Sequence, residues 1–67
     1  MKIFLVIRQF PDHDLELDGF RTRPAAMVCV KAVVRDHARD GVRLTREDDL
    51  WIGKDGFSVE VREVEVQ

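Results

Sequence analysis

The chain has 67 residues, of which 45% are hydrophobic and 36% are charged, and its formal net charge is −2 at pH 7. This composition excludes a disordered chain and predicts one small globular domain, residues 1–67, with a core of limited size. The single Cys29 excludes an internal disulfide framework and a zinc site built from several cysteines.

Charge is distributed unevenly along the chain. Residues 1–46 carry nine Lys or Arg and six Asp or Glu, whereas residues 47–67 carry two and seven. Such asymmetry is typical of a charged partner surface, although opposite strands of one small domain also neutralise each other. The apolar run Ile3–Ile7 is too short to span a membrane, and no signal-peptide cleavage pattern follows it. We therefore expect a cytoplasmic protein without a membrane segment.

The first predicted element is a strand over residues 2–10. Its apolar residues occupy both faces, which is typical of a central strand or of one whose second face meets a partner. A turn over residues 11–14 follows, and the alternating residues 15–18 predict a short returning strand. One face of the first strand carries Ile3, Leu5 and Ile7, and the other carries Phe4, Val6 and Phe10.

The stretch from Thr22 to Gly41 is predicted to be the only long helix. Thr22 is a suitable N-cap, Pro24 falls in the first turn, and Gly41 suits a left-handed C-terminal cap. Strict alternation fails at Val33–Val34, which disfavours a strand in this valine-rich segment. The side expected to face a sheet carries apolar residues at helical spacing: Ala26, Met27, Val30, Val33, Val34 and Ala38.

Several short elements follow the helix. Residues 42–45 alternate and predict a strand, and Thr45–Asp48 has a capping-box-like pattern that predicts one helical turn. The apolar residues change parity near Arg62–Glu63, so we expect a β-bulge or a change of neighbouring strand there. The order β-β-α-β-β-β predicts an α+β two-layer sandwich, with one helix packed on a mainly antiparallel sheet of four to five strands.

The strongest hairpin signal is Asp55–Gly56, which lies between two alternating runs. A two-residue loop at this position pairs Ile52 with Val59 and Leu50 with Val61. These four side chains then pack against the helix. The same register makes Trp51 and Glu60 face outward.

Neither histidine lies in a pattern typical of a catalytic or metal site. His13 stands between two aspartates in a tight turn, where sequence neighbours rarely converge on one ion. His37 falls on the apolar side of the helix, where one hydrogen bond is expected to satisfy it. Ser58 is the only serine, and there is no glycine-rich phosphate loop. We therefore expect a non-enzymatic protein with no metal and no cofactor.

The last third of the chain predicts an acidic partner-binding surface around Trp51. A tryptophan ringed by carboxylates is typical of a protein–protein hot spot, and carboxylates along strands can imitate a row of phosphates. The alternative is that Trp51 closes one end of the core and the carboxylates are solvated. The residues predicted to bind the partner are Trp51, Glu47, Asp48, Asp49, Asp55, Glu60, Glu63 and Glu65.

Two alternative functions use other surfaces. A basic helix stripe that contacts phosphates predicts a small nucleic-acid-binding or regulatory domain, although a solvated helix face is the competing interpretation. An oligomerisation module, such as a homodimer, is predicted if Phe4, Val6 and Phe10 are buried only between subunits. The residues of the basic stripe are Lys31, Arg35, Arg39, Arg43 and Arg46.

The length and element order, ending in the tryptophan-bearing hairpin Asp49–Gly56, resemble those of the small anti-CRISPR proteins encoded by phages. This resemblance implies an inhibitor that acts in the host bacterial cytoplasm. It also implies binding to a Cas subunit or effector complex, with the nucleic-acid-binding surface of that complex blocked. Together with the acidic surface, it predicts a non-enzymatic inhibitor that acts by nucleic-acid mimicry.

Overall fold

The computed structural model describes all residues, 1–67. The five strands form one antiparallel sheet in the order β2-β1-β5-β4-β3, and the single helix packs on one face of it. This arrangement confirms the predicted α+β layout. The helix lacks the combination of length and apolar character that crossing a lipid bilayer requires. The elements are β1 Lys2–Gln9, β2 Leu15–Phe20, α1 Arg23–Arg39, β3 Thr45–Glu47, β4 Leu50–Ile52 and β5 Ser58–Glu65.

The ends of α1 are fixed by the residues that the sequence indicates. The Thr22 side-chain oxygen accepts a hydrogen bond from the Ala25 amide at 3.3 Å, and Pro24 lies in the first turn. At the other end Gly41 adopts φ +86°, the left-handed conformation that glycine tolerates without steric cost. The predicted caps are therefore confirmed.

The core lies between α1 and the face of the sheet that α1 covers, which we call the covered face. His37 belongs to its margin, because its Nδ1 lies 3.0 Å from the Val33 carbonyl oxygen and its ring stacks on Phe57 at 4.0 Å. This is the satisfied histidine that the sequence predicts. The buried apolar side chains are Val6, Ala26, Val30, Leu44, Trp51, Phe57, Val59 and Val61.

The last hairpin has a different register from the predicted one. Trp51 pairs with Val59, Ile52 pairs with Ser58, and Leu50 lies opposite Glu60. A shift of one residue in register exchanges the two faces of a strand. The prediction that Leu50 and Ile52 pack against the helix, with Trp51 outside, is therefore wrong.

A five-residue connection, residues 53–57, causes this register. The Gly53 amide donates to the Phe57 carbonyl at 2.8 Å, and the Asp55 carboxylate accepts from the Phe57 amide at 3.0 Å. These bonds hold Phe57 at the end of the turn, where its ring packs edge-on against Phe10 at a centroid distance of 5.2 Å. Burial of Phe57 thus selects the longer loop over a two-residue Asp-Gly turn.

Three smaller predictions are also wrong. Residues 45–47 form strand β3 and not a helical turn, because their backbone pairs with β4 from Thr45 opposite Ile52 to Glu47 opposite Leu50. Residues 42–44 form no strand. Strand β5 contains no bulge and gains no new neighbour near Arg62–Glu63, since its pairing with β1 continues without interruption from Ser58 to Glu65 and its pairing with β4 ends at Glu60.

Candidate functional site

Trp51 is the centre of the predicted acidic surface, and its indole is buried. Only 6% of the residue is exposed, and it packs in the core with Val59 on the covered face. The Arg46 guanidinium lies over the ring, with its carbon 4.9 Å from the ring centroid. The interpretation that Trp51 closes one end of the core is correct, and the expectation of an outward tryptophan is wrong.

The seven carboxylates predicted to surround Trp51 do not share one surface. Glu47 and Glu60 lie on the face of the sheet opposite to α1. Glu63 and Glu65 belong to the other set of alternating residues in β5, the set that contains Val59 and Val61, so they lie on the covered face. Several of them already have cationic partners within the chain. The ion pairs are Asp49 with Arg23 at 3.1 Å, Glu60 with Arg62 at 3.0 Å, Glu63 with Lys2 at 4.0 Å and Glu65 with the N-terminus at 3.4 Å.

The other two predicted carboxylates lie in turns. Asp48 adopts φ +55° in the tight connection between β3 and β4. The Asp55 carboxylate accepts a hydrogen bond from the Phe57 amide. Asp55 also lines a small depression together with Lys54 and Arg43. The structure therefore assembles no continuous acidic patch from the predicted residues.

The basic stripe is only partly brought together. Lys31 and Arg35 of α1 and Arg46 of β3 line one groove, of which Trp51 forms part of the floor. Arg43 lies outside that groove, beside Lys54. Arg39 falls further around the helix and also lies outside it.

A row of aliphatic side chains lies on the face of the sheet opposite to α1, which we call the uncovered face. Strand residues alternate between faces, so the residues between the core positions of β1, β4 and β5 point away from the helix. Leu17 is 60% exposed, Leu15 is 59% exposed and Ile52 is 40% exposed. The aliphatic residues of this face are Ile3, Leu5, Ile7, Leu15, Leu17, Leu50, Ile52 and Val64.

The uncovered face corrects the prediction about a homodimer surface. Phe4, Val6 and Phe10 belong to or pack against the core, so they are not the residues left for a second subunit. The residues of β1 that remain available to a second subunit are Ile3, Leu5 and Ile7, which point away from the helix. The sequence signal was present, because β1 is apolar on both faces while only one helix is available to cover a five-stranded sheet.

The uncovered face carries little net charge. Its main charged groups are Glu47 and the Glu60–Arg62 pair, in which the Arg62 Nη2 donates to Glu60 at 3.0 Å. A depression of about 440 Å³ lies on this face, where the end of β1 and strand β4 flank the start of β5. Its lining residues are Ile7, Gln9, Leu50, Ile52, Gly56, Ser58 and Glu60. The face therefore suits an apolar, shape-complementary contact.

The remaining reactive side chains do not form a site with one another. No group of three or more His, Cys, Asp or Glu side chains is placed to hold a metal ion. Cys29 is half-buried on α1, and burial raises the pKa of its thiol; the Asp18 carboxylate adds to the increase and Arg8 opposes it. His13 is exposed in the turn before β2, with φ +74°.

Comparisons with known proteins identify no relative of this chain. No protein-family model matches the chain, and neither the curated proteins nor the solved structures give a match. The anti-CRISPR resemblance therefore stays a prediction. The site best defined by its contacts is the uncovered face of the sheet.

Proposed function

We propose that this chain is a non-enzymatic protein-binding module, and that the first partner of its uncovered face is the same face of a second copy. The observation that carries the proposal is the row of aliphatic side chains, up to 60% exposed, with no second layer over them. Contiguous apolar patches of this kind mark interaction surfaces on small domains. Two sheets stacked face to face would convert an open sheet into a four-layer α/β/β/α dimer.

The size of the uncovered face supports a modest dimer. The longest strands have eight residues, so the sheet is about 26 Å long and about 19 Å across five strands. Because β2 has six residues and β3 and β4 have three each, the strands cover about 440 Å² on each copy, or about 900 Å² in total, which is the size of a weak or transient interface. Association of this kind is concentration-dependent, so it is tested over a wide range of protein concentrations.

The shape of the face supports a second copy as occupant. Leu17 and Glu60 lie on opposite sides of Ile7, since both are its register partners. A two-fold axis between the sheets and parallel to β1 brings Leu17 of each copy over the other copy's depression, beside Glu60. The Glu60–Arg62 pair within each copy leaves no uncompensated charge at that contact.

The inhibitor function stays a prediction beside this proposal. A dimer leaves α1, the turns and the edge strands of each copy accessible to a further protein. If a Cas effector complex is that protein, the geometry favours contact through these surfaces over a carboxylate row around Trp51. The bacterial cytoplasm is the location that this function requires.

The test is sedimentation velocity over concentrations from the low micromolar to the hundreds of micromolar. Leu17→Lys places a charge at the centre of the proposed contact, on a side chain already 60% exposed in the monomer. The matched control is Val28→Lys, because Val28 is 70% exposed on α1, away from the uncovered face. Both variants are expected to fold, which circular dichroism checks.

The proposal expects wild type and Val28→Lys to shift together toward a dimer as concentration rises, while Leu17→Lys stays monomeric. A wild-type monomer throughout the range contradicts it. So does a dimer that Leu17→Lys leaves intact, because the contact surface would then lie elsewhere.

A further inference from the structure

The groove between α1 and the β3–β4 edge has an apolar floor and a cationic rim. Its volume is about 240 Å³. The rim is formed by Lys31 and Arg35 from the helix and by Arg46 from β3 on the opposite wall. The floor comprises Met27, Val30, Val34, Ala38 and Trp51.

The three rim cations have no carboxylate partner in the chain, although five other basic groups form ion pairs. Lys31 and Arg35 are one helical turn apart and exposed, so their charges lie side by side along one wall. The Arg46 Nε donates to the Asp48 carbonyl oxygen at 2.9 Å, which fixes the guanidinium over Trp51 and leaves its outer nitrogens free. The groove thus presents three cationic side chains around an apolar floor, and Arg46 is the one held in place by contacts within the chain.

We propose that this groove binds an acidic peptide segment in which an aliphatic side chain is flanked by carboxylates. The aliphatic group would enter between Met27, Val34 and Ala38, while the carboxylates meet the two walls. Bidentate pairing with Arg35 and Arg46 gives such a segment a defined orientation. This site goes beyond the proposed dimer, because it lies on the helix side of the sheet.

The observations favour a peptide over a nucleic acid. Single-stranded nucleic acids gain affinity by stacking bases on accessible aromatic rings. The one aromatic residue of the groove is Trp51, which is 6% exposed and already carries Arg46 over its ring. The accessible floor is aliphatic, and it suits a leucine side chain better than a base.

The experiment is a fluorescence anisotropy titration with a labelled peptide of sequence Glu-Asp-Leu-Leu-Glu-Asp. A second peptide with both leucines replaced by serine keeps the charge and removes the apolar group. A short single-stranded DNA provides a polyanion of the other class. All titrations are repeated on Leu17→Lys, so that loss of the dimer is separated from loss of the groove.

Arg35→Glu is expected to weaken binding of the leucine peptide about tenfold, the effect of losing and reversing one charge contact. Arg39→Glu makes the same charge change on the same helix outside the groove, and less than about a twofold effect is expected from this charge. Ala38→Leu fills the groove with a good helix former and should also weaken binding.

The proposal is overturned if the leucine peptide does not bind, or if Arg35→Glu and Arg39→Glu weaken it equally. It is also overturned if the serine peptide or the DNA binds as tightly as the leucine peptide. Retention of binding on Leu17→Lys supports a groove that acts independently of the dimer.

Discussion

Trp51 lies directly opposite Val59 in the β4–β5 ladder, and this pairing determines which surface of the molecule is apolar. The indole faces α1 and joins the core. Its neighbours Leu50 and Ile52 consequently point to the other side of the sheet, next to Ile7. The same register thus buries the one residue that resembled a binding anchor and creates the uncovered face.

Trp51→Ala should destabilise the fold strongly. Removing a buried tryptophan side chain from a small core costs about 3–5 kcal/mol, and Arg46 would also lose its ring contact. Urea unfolding at fixed protein concentration measures this loss. Wild-type fluorescence should be blue-shifted and poorly quenched by acrylamide. Emission typical of a hydrated indole would contradict the buried position.

Gly53→Ala should also destabilise the protein, because the hairpin closes tightly around this residue. A Cβ at Gly53 would lie 2.8 Å from the Asp55 carboxylate and 2.9 Å from a Leu44 methyl group. Displacing these groups disturbs the Asp55 bond to the turn and should cost about 1–3 kcal/mol. Gly19→Ala is the control, since its Cβ would meet only a Leu5 methyl at 3.9 Å. Equal thermal stability of the two variants would argue against this turn.

The helix and the layer arrangement were predictable because their signals are local. Thr22, Pro24 and Gly41 mark the ends of α1, and the spacing of its apolar residues indicates the buried side. These features need no knowledge of distant contacts. The strand-helix-strand order then limits the fold to one sheet with one helix layer.

The binding surface was not predictable from the same kind of signal. The faces of β4 depend on whether the loop to β5 has two residues or five, and local turn preference favours the two-residue Asp-Gly loop. Burial of Phe57 against Phe10 and His37, which are distant in sequence, decides for the longer loop. The prediction of an acidic surface also failed. Carboxylates that are close in sequence lie on both faces of the sheet and in two separate turns, and sequence proximity does not show this.

Arg8→Leu should weaken the junction between β1 and β2. The Arg8 Nη2 lies 2.9 Å from both Glu16 and Asp18, so its removal leaves two neighbouring carboxylates without a cation. Both carboxylates are about half exposed, so the expected loss of stability is no more than about 1 kcal/mol, and it should be smaller at high salt. Arg43→Leu removes an exposed charge that lies outside the helix and strands and has no ion-pair partner, so it should change the unfolding free energy little. A loss that is independent of salt would indicate a packing role for Arg8 instead.

The Cys29 thiol should react slowly with iodoacetamide at pH 8. Burial raises its pKa and the Asp18 carboxylate raises it further, so less of the reactive thiolate is present than in a free cysteine. Because the folded pKa exceeds the unfolded one, this group stabilises the fold at lower pH, and the contribution is lost as pH rises through the folded value. Asp18→Asn should move the alkylation profile to lower pH. An unchanged profile would contradict the assigned cause.

Intermolecular contacts detected by isotope-filtered NMR test the central claim most directly. An equal mixture of labelled and unlabelled chains is prepared at a concentration where association is expected. The account predicts methyl contacts between Leu17 of one copy and Ile7 or Leu50 of the other. Contacts confined to Val28 and its neighbours on α1, or no intermolecular contact at all, would contradict it.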